Sequence, residues 1–189
     1  MHEHLDEFFV DSTLVANKYG IDLVTYNVQL KKHKSTKVSI VIDDNSIPID
    51  YKITNSNNHD ASIFINHIDN IAQKYPNLCT DNKIFIADAA YDSMNIRNKL
   101  KICKLGKLIC DKNKRNTKDP NILKKHKINL YEKMLLNKRS KIEHVNNVIK
   151  KNKTINIRYG KYASNYNIFV LIALIKSAFS KISIIENFI

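Results

Sequence analysis

KVSIVIDDNSIPIDYKIT (residues 37–54) places two β-branched runs on either side of Asp44-Asn45-Ser46. Valine and isoleucine runs joined by a short polar tripeptide predict a β-hairpin with a tight turn. Upstream, EFFVDST (7–13) is a short apolar run closing on small polar residues, and it reads as another strand. Residues 14–36 are polar and mixed and read as a connection. Downstream, Ile63, Ile65, Ile68, Ile71 and Ala72 recur at roughly helical spacing between His59 and Tyr75, and Pro76 ends the run. KIFIAD (83–88) has the pattern of a buried strand, and 92–103 reads as a helix capped by Asp92 or Ser93. GKLIC (106–110) is a fifth strand, the Lys/Asn-rich stretch 111–128 reads as a basic loop, and helices follow over 130–152 and 161–183. Strand, hairpin, helix, strand, helix, strand and then helices suit an α/β architecture, a mixed five-stranded sheet covered by helices on both faces.

At 189 residues the chain is the size of one domain with a sizeable core. Three glycines leave no Gly-rich phosphate loop, which excludes P-loop and dinucleotide-binding enzymes. The net charge of +13 favours a phosphate-rich partner. It does not decide the matter alone, because 27 Lys against 4 Arg is also the bias an AT-rich gene writes into any protein. Cys79, Cys103 and Cys110 form no CxxC and read as small core residues of a reducing compartment. The N-terminal MHEHLDEFFVD lacks a signal-peptide layout, and the apolar run IFVLIALI (168–175), ended by Lys176, is short of the ~20 residues of a bilayer span. A soluble intracellular protein is expected.

Three acids stand out by position. Asp11 follows Phe8, Phe9 and Val10, and Asp88 closes the run KIFIA. A carboxylate there costs several kcal/mol to bury unpaired, unless the strand end opens on the rim of the sheet where ligands bind. Singly, such an acid more often forms a turn or caps a helix. The third acid lies in KRSKIEHVNNVIKK (138–151). At ~100° per residue, Glu143 falls ~40° and Lys150 ~20° from Arg139, beside a face of Ile142, Val145, Val148 and Ile149. On residues alone, a solvated Arg–Glu pair worth ~0.3–0.5 kcal/mol is the simpler reading.

Taken together the segments resemble the DDE transposases of bacterial insertion sequences, the group with insertion sequence four as its type. Val10-Asp11-Ser12-Thr13 is similar to that family's hydrophobic-Asp-Ser-Thr strand. Ile86-Ala87-Asp88-Ala89-Ala90-Tyr91-Asp92-Ser93 resembles Ala-Asp-x-Gly-Tyr-Asp-Ser, with Ala90 in place of Gly. Arg139-x3-Glu143-x6-Lys150 matches the last three members of Tyr-x2-Arg-x3-Glu-x6-Lys, with Leu136 at the Tyr position. The hairpin is similar to the family's valine-rich strand pair. His59-Asp60 sits where the family carries a His-Asp pair, although Asp60 reads more simply as a helix cap.

The resemblance implies a single RNase H-like catalytic domain over residues 1–189, lacking the N-terminal DNA-end-binding region of relatives, since only ten residues precede Asp11. It implies Asp11, Asp88 and Glu143 as the catalytic acids, holding two Mg²⁺ ions with Mn²⁺ as a substitute. Arg139 and Lys150 would grip DNA phosphates. The implied reaction is cleavage at transposon ends followed by transfer of the 3′-hydroxyl into target DNA, by a homodimer on DNA. An inactive DNA-binding remnant, or another RNase H-like nuclease that never joins strands, are the alternatives.

Overall fold

The computed structural model describes residues 6–27, 33–112 and 128–186, so most of the expected basic loop 111–128 lies outside the described residues. The strands are β1 (Asp6–Asn17), β2 (Thr25–Asn27), β3 (His33–Asp43), β4 (Pro48–Asn55), β5 (Lys83–Ile86), β6 (Lys107–Ile109) and β7 (Ile157–Arg158). The helices are α1 (Asp60–Lys74), α2 (Met94–Ile102), α3 (Leu130–Asn137), α4 (Ser140–Lys150), α5 (Lys153–Asn156) and α6 (Ala163–Glu186). All seven strands form one mixed sheet. β1 and β3 pair antiparallel along most of their length, as do β3 and β4. β5 and β6 add parallel to the other side of β1.

Because side chains alternate across a strand, the apolar runs divide between two cores. Phe9, Val15, Ile40, Ile42, Ile84 and Ile86 meet Ile142, Val145 and Ile149 of α4 and Tyr166, Val170 and Leu174 of α6. Phe8, Val10, Val41 and Phe85 meet Phe64, Ile68 and Ile71 of α1 and Ile96 and Leu100 of α2. Helices on both faces explain why these strands read as continuous apolar runs. The expected α/β class and flanking helices are present.

Several local expectations are corrected. The sheet has seven strands among the described residues, two more than expected: β2 lies inside 14–36, where β1 also continues to Asn17 and β3 begins at His33, and β7 at 157–158 pairs with the end of β1. The polar Ser35, Thr36 and Lys37 are buried there with partners, Thr36 Oγ1 donating to the Leu23 carbonyl (2.9 Å) and Lys37 pairing with Asp60 (2.9 Å). Asp60 is thus the first residue of α1 and an ion-pair partner; the cap position is His59. The helix expected over 130–152 is two, α3 and α4. At the junction the Lys138 and Arg139 amides bond three residues back, to Leu135 (3.0 Å) and Leu136 (3.1 Å). That tighter turning separates the two segments. By length and composition Ala163–Ile182 of α6 is long and apolar enough to cross a membrane, although Tyr166, Val170, Ala173 and Leu174 face the core.

The hairpin turn sits where expected. Ser46 has a left-handed backbone (φ 66°), and Asp43 Oδ1 accepts from the Ile47 amide at 2.7 Å. A buried polar chain fastens α1 across the hairpin. His67 Nδ1 lies 2.7 Å from Asp50 Oδ2, and Nε2 lies 3.0 Å from Ser39 Oγ. Asn70 and Lys74 complete the coordination of Asp50. This is the residue set of a hydrolase triad, but Ser39, His67 and Asp50 are all sealed from solvent, so no substrate reaches the hydroxyl. It serves as a staple.

Burial holds the His67 pKa below its ordinary 6.5, against the pull of Asp50. The folded protein therefore keeps His67 neutral where the unfolded chain takes up a proton, so this contribution is complete above about pH 6.5 and is lost as pH falls. Burial would raise the Asp50 carboxyl, but His67 and Lys74 outweigh it and hold it below 3.8, outside this window. Thermal unfolding followed from about pH 7.5 to about pH 5.5 is expected to show a steeper loss of stability in the parent than in His67→Gln. Equal slopes would refute the assignment.

Candidate active site

Asp11 lies in β1 on the same face as Phe9, so it points toward α4. The parallel register pairs Phe9 with Ile86, and carrying it two residues onward brings Asp11 level with Asp88, just past the end of β5. The two carboxylates thus meet where adjacent parallel strands stop pairing, the place where open α/β sheets bind ligands. Asp88 also begins the 3₁₀ turn Ala89–Tyr91, its Oδ1 accepting from the Ala90 amide at 2.7 Å. The simpler role of turn-former is therefore real, and it coexists with the position at the sheet rim.

The turn is pinned by Tyr91. Its ring is buried against Phe64 in an edge-on contact (centroids 5.8 Å apart), and its hydroxyl lies 3.0 Å from Ser12 Oγ. Ser12 points to the opposite face from Asp11, so Tyr91 anchors the Asp88 turn to the very residue that follows Asp11. The motif contains Tyr91 beside Asp88, but only Asp88 is given a role by the resemblance.

Burial pushes the Asp11 pKa up to about 6 from 3.8, and the charge of Asp88 adds to the rise. The Ser12 amide and Arg139 oppose it. Lys150 responds in the opposite sense, burial lowering its pKa while Asp11 pulls it back up. Arg139 and Lys150 thus bring positive charge near Asp11. Among the described residues neither Asp11 nor Asp88 forms an ion pair at contact distance.

Glu143 stands apart. Its side chain is 57% exposed and its Oε1 lies 3.7 Å from Arg139 Nη2, the solvated i,i+4 pair of the simpler sequence reading. No group of three acids, histidines or cysteines is gathered for a metal ion among the described residues. The residue that α4 presents directly to Asp11 is Asn146, one turn further on, whose Nδ2 donates to Asp11 Oδ2 at 2.9 Å. Asn146 is only 5% exposed, and its Oδ1 is buried with no hydrogen-bond partner among the described residues. A signal existed in the sequence, since Asn146 falls within the buried face formed by Ile142, Val145 and Ile149. A polar residue there needs a partner.

The carboxylate oxygens of Asp11 and Asp88 are the ligand type a hard divalent cation prefers, and the unpartnered Asn146 oxygen belongs to the residue bonded to Asp11. The orphaned Asn146 oxygen and the mutual repulsion of the aspartates are what such a cation would relieve.

The sequence matches the family model described as transposase DDE domain over residues 4–175. No curated protein matches it. The fold is similar to a piggyBac transposase in a synaptic complex with hairpin DNA, at TM-score 0.64 and 8% identity over 89% of this chain and 45% of that one. A Mos1 transposase paired-end complex with the left transposon end is also matched, at TM-score 0.37 and 13% identity over 70% of this chain and 52% of that one. The chain spans about half the length of these structures. Its architecture is RNase H-like, and the chain belongs to the DDE transposase domain family.

Proposed function

We propose that this domain cleaves DNA phosphodiesters at transposon ends and transfers the freed 3′-hydroxyl to target DNA, with Asp11 and Asp88 holding divalent cations and Glu143 as the third acid. The observation that carries the reading is the meeting of Asp11 and Asp88 on one rim of the sheet, flanked by Arg139 and Lys150. When bound, Mg²⁺ or Mn²⁺ would activate the attacking oxygen and neutralise the leaving one. The chain's own residues do the rest. Asp11 and Asp88 supply the negative charge that recruits the ions, the Asn146 amide fixes the Asp11 carboxylate, and Arg139 and Lys150 hold the strand by its phosphates without reading bases.

Glu143 lies nearly two helical turns from Lys150, so its backbone is already on the helix face whose lysine feels Asp11. Rotation of its side chain away from Arg139 would bring the carboxylate toward the pair. The outward Glu143 also favours a second reading, a domain that binds DNA without cutting it, and Mn²⁺ calorimetry decides between them. Partners on this proposal are transposon-end and target DNA, bound by a homodimer within the cell, in the manner of the insertion-sequence-four group.

Two measurements test the site. At neutral pH the ionised Asp11 carries a penalty on the order of 3 kcal/mol, because burial holds its pKa at about 6. A carboxyl whose folded pKa is raised costs stability above that pKa and regains it as pH falls toward the unfolded value of 3.8. Asp11→Asn in chelator is therefore expected to be ~1–3 kcal/mol more stable than the parent at about pH 7.5, with the gain shrinking by about pH 5. Destabilisation at the higher pH would count against a strained, cation-seeking carboxylate.

For activity, Asp88→Asn is expected to abolish Mg²⁺-dependent nicking of supercoiled plasmid while leaving thermal unfolding cooperative, and Glu143→Gln to lower nicking by a hundredfold or so. An Asp88→Asn protein that nicks like the parent would sink the proposal. Detection of joined target product separates a transposase from a nuclease that only cuts.

A further inference from the structure

At the far end of β1 from the acids, the chain builds a rigid corner that the proposed chemistry does not use. Arg158 of β7 is completely buried, and its guanidinium holds the loop after β1 to the start of α6. Its Nη1 donates to the Asp22 carbonyl (2.7 Å) and to Thr36 Oγ1 (3.1 Å). Its Nε donates to the Gly160 carbonyl (3.2 Å), Nη2 reaches the Lys161 carbonyl (3.3 Å) and the Asp22 carboxylate, and the planar group stacks over Tyr166. Asp22 in turn accepts from the Ala163 amide at the N-terminus of α6. Asn17 and Gly20 exchange two 3.0 Å hydrogen bonds, and a Cβ on Gly20 would lie 2.7 Å from Arg158 Nε, so only glycine lets the loop close on the guanidinium.

What this clamp presents to solvent is aromatic and basic. Tyr19 is 59% and Tyr159 46% exposed, with ring centroids 6.1 Å apart, and Lys18 Nζ sits 5.3 and 5.5 Å from the two rings. Tyr162 and Lys161 form a second exposed pair beside them (5.6 Å). The carboxylate of this corner, Asp22, is turned to Arg158 and to the helix N-terminus. Exposed aromatic rings usually lie on surfaces that bind something, and holding them rigid lowers the ordering cost of binding. Tyrosines for base faces and lysines for phosphates are the chemistry of single-stranded nucleic-acid platforms. A duplex hides its base faces and would use the lysines alone.

We propose that the Tyr19/Tyr159 corner is a second DNA contact, a stacking platform for unpaired bases of a single strand, distinct from the carboxylate site. It rests on the reading that the domain acts on DNA. Six residues of β1 separate Asp11 from Asn17, roughly 20 Å, and Tyr19 lies in the bend just past the strand's end, so a single strand of several nucleotides can touch both sites.

The test is titration of the full chain with a fluorescent oligothymidylate in chelator, where no cleavage occurs. The Tyr19→Ala/Tyr159→Ala double variant is expected to bind about tenfold or more weakly, while its affinity for duplex DNA stays within about twofold. An abasic strand of equal charge is expected to bind the parent and the double variant alike. Tyr19→Phe/Tyr159→Phe, which keeps the rings, should restore binding, and thermal unfolding shows whether each variant is folded. Unchanged oligothymidylate affinity in the folded double alanine variant overturns the proposal. So does an equal loss on duplex or abasic DNA, which would leave only a phosphate contact, and so does failure of the parent to prefer bases over abasic sites. Because no metal is present, these outcomes are independent of whether Asp88→Asn abolishes nicking.

Discussion

A carboxylate inside a strand that is covered on both faces constrains everything around it. β1 lies between β3 and β5, with Phe8, Phe9 and Val10 buried under helices on the two faces, so a charge that follows them needs an opening where a neighbouring strand ends. Asp11 sits at that place. β5 stops pairing after Ile86, and the chain turns away through Asp88 and the 3₁₀ turn that Tyr91 anchors to Ser12. Had β5 continued alongside β1, Asp11 would be sealed in the sheet, and a buried unpaired charge of that kind costs several kcal/mol. The same departure that opens the rim brings in a second carboxylate. Burial pushes the Asp11 pKa up to about 6, and the negative charge of Asp88 adds to the rise. On the proposed function, a cation bound there would relieve this penalty.

The helix opposite explains why the Arg–Glu–Lys stripe alone does not complete the site. α4 is fixed to the sheet by Ile142, Val145 and Ile149, and that fixes which of its residues face Asp11. Asn146 falls on the packed face, and Glu143 falls on its border, where solvent and Arg139 compete for it. A neutral amide suits a place that must be occupied whether or not a cation is present. It donates to the carboxylate and keeps its oxygen free, whereas a third permanent carboxylate there would repel the first two. Glu143, on the border, is able to be in solvent or near the acids at the cost of a side-chain rotation only.

Much of this was legible in the sequence because it rests on local pattern. The hairpin around Asp44-Asn45-Ser46, the strand KIFI and the helix after His59 each announce themselves by β-branched alternation or helical spacing, and each forms. Asp11 and Asp88 were visible as acids that break apolar runs. Other elements depend on partners distant in sequence. The first half of β3 carries Ser35, Thr36 and Lys37, polar residues whose burial is stabilised by the Leu23 carbonyl and Asp60, so hydropathy gives no hint of a strand. β7 is two residues long and exists only because β1 extends far enough to pair with it. The division of α3 from α4 follows backbone hydrogen bonds that no residue type in Asn137-Lys138-Arg139 signals. Asn146 was readable in principle, as a polar residue on an apolar helical face, but what it bonds to depends on the sheet.

Arg158 connects these levels. From sequence it is one of only four arginines in a lysine-rich chain, and among the described residues it is the one arginine that is fully buried. A lysine could not replace it. The guanidinium offers donors in a flat fork that reaches five acceptors on three segments and still stacks on Tyr166, whereas an ammonium is a strongly hydrated point charge that resists burial. The clamp fixes the end of β1, and through the β1–β7 pairing it also fixes the start of α6, whose buried face packs against α4. One strand therefore has Asp11 at its middle and the tyrosine corner just past its end, and the same packed helices hold both in register. A nucleic-acid strand lying along that edge would meet charge first and exposed rings next, on a surface whose geometry is set before any partner arrives.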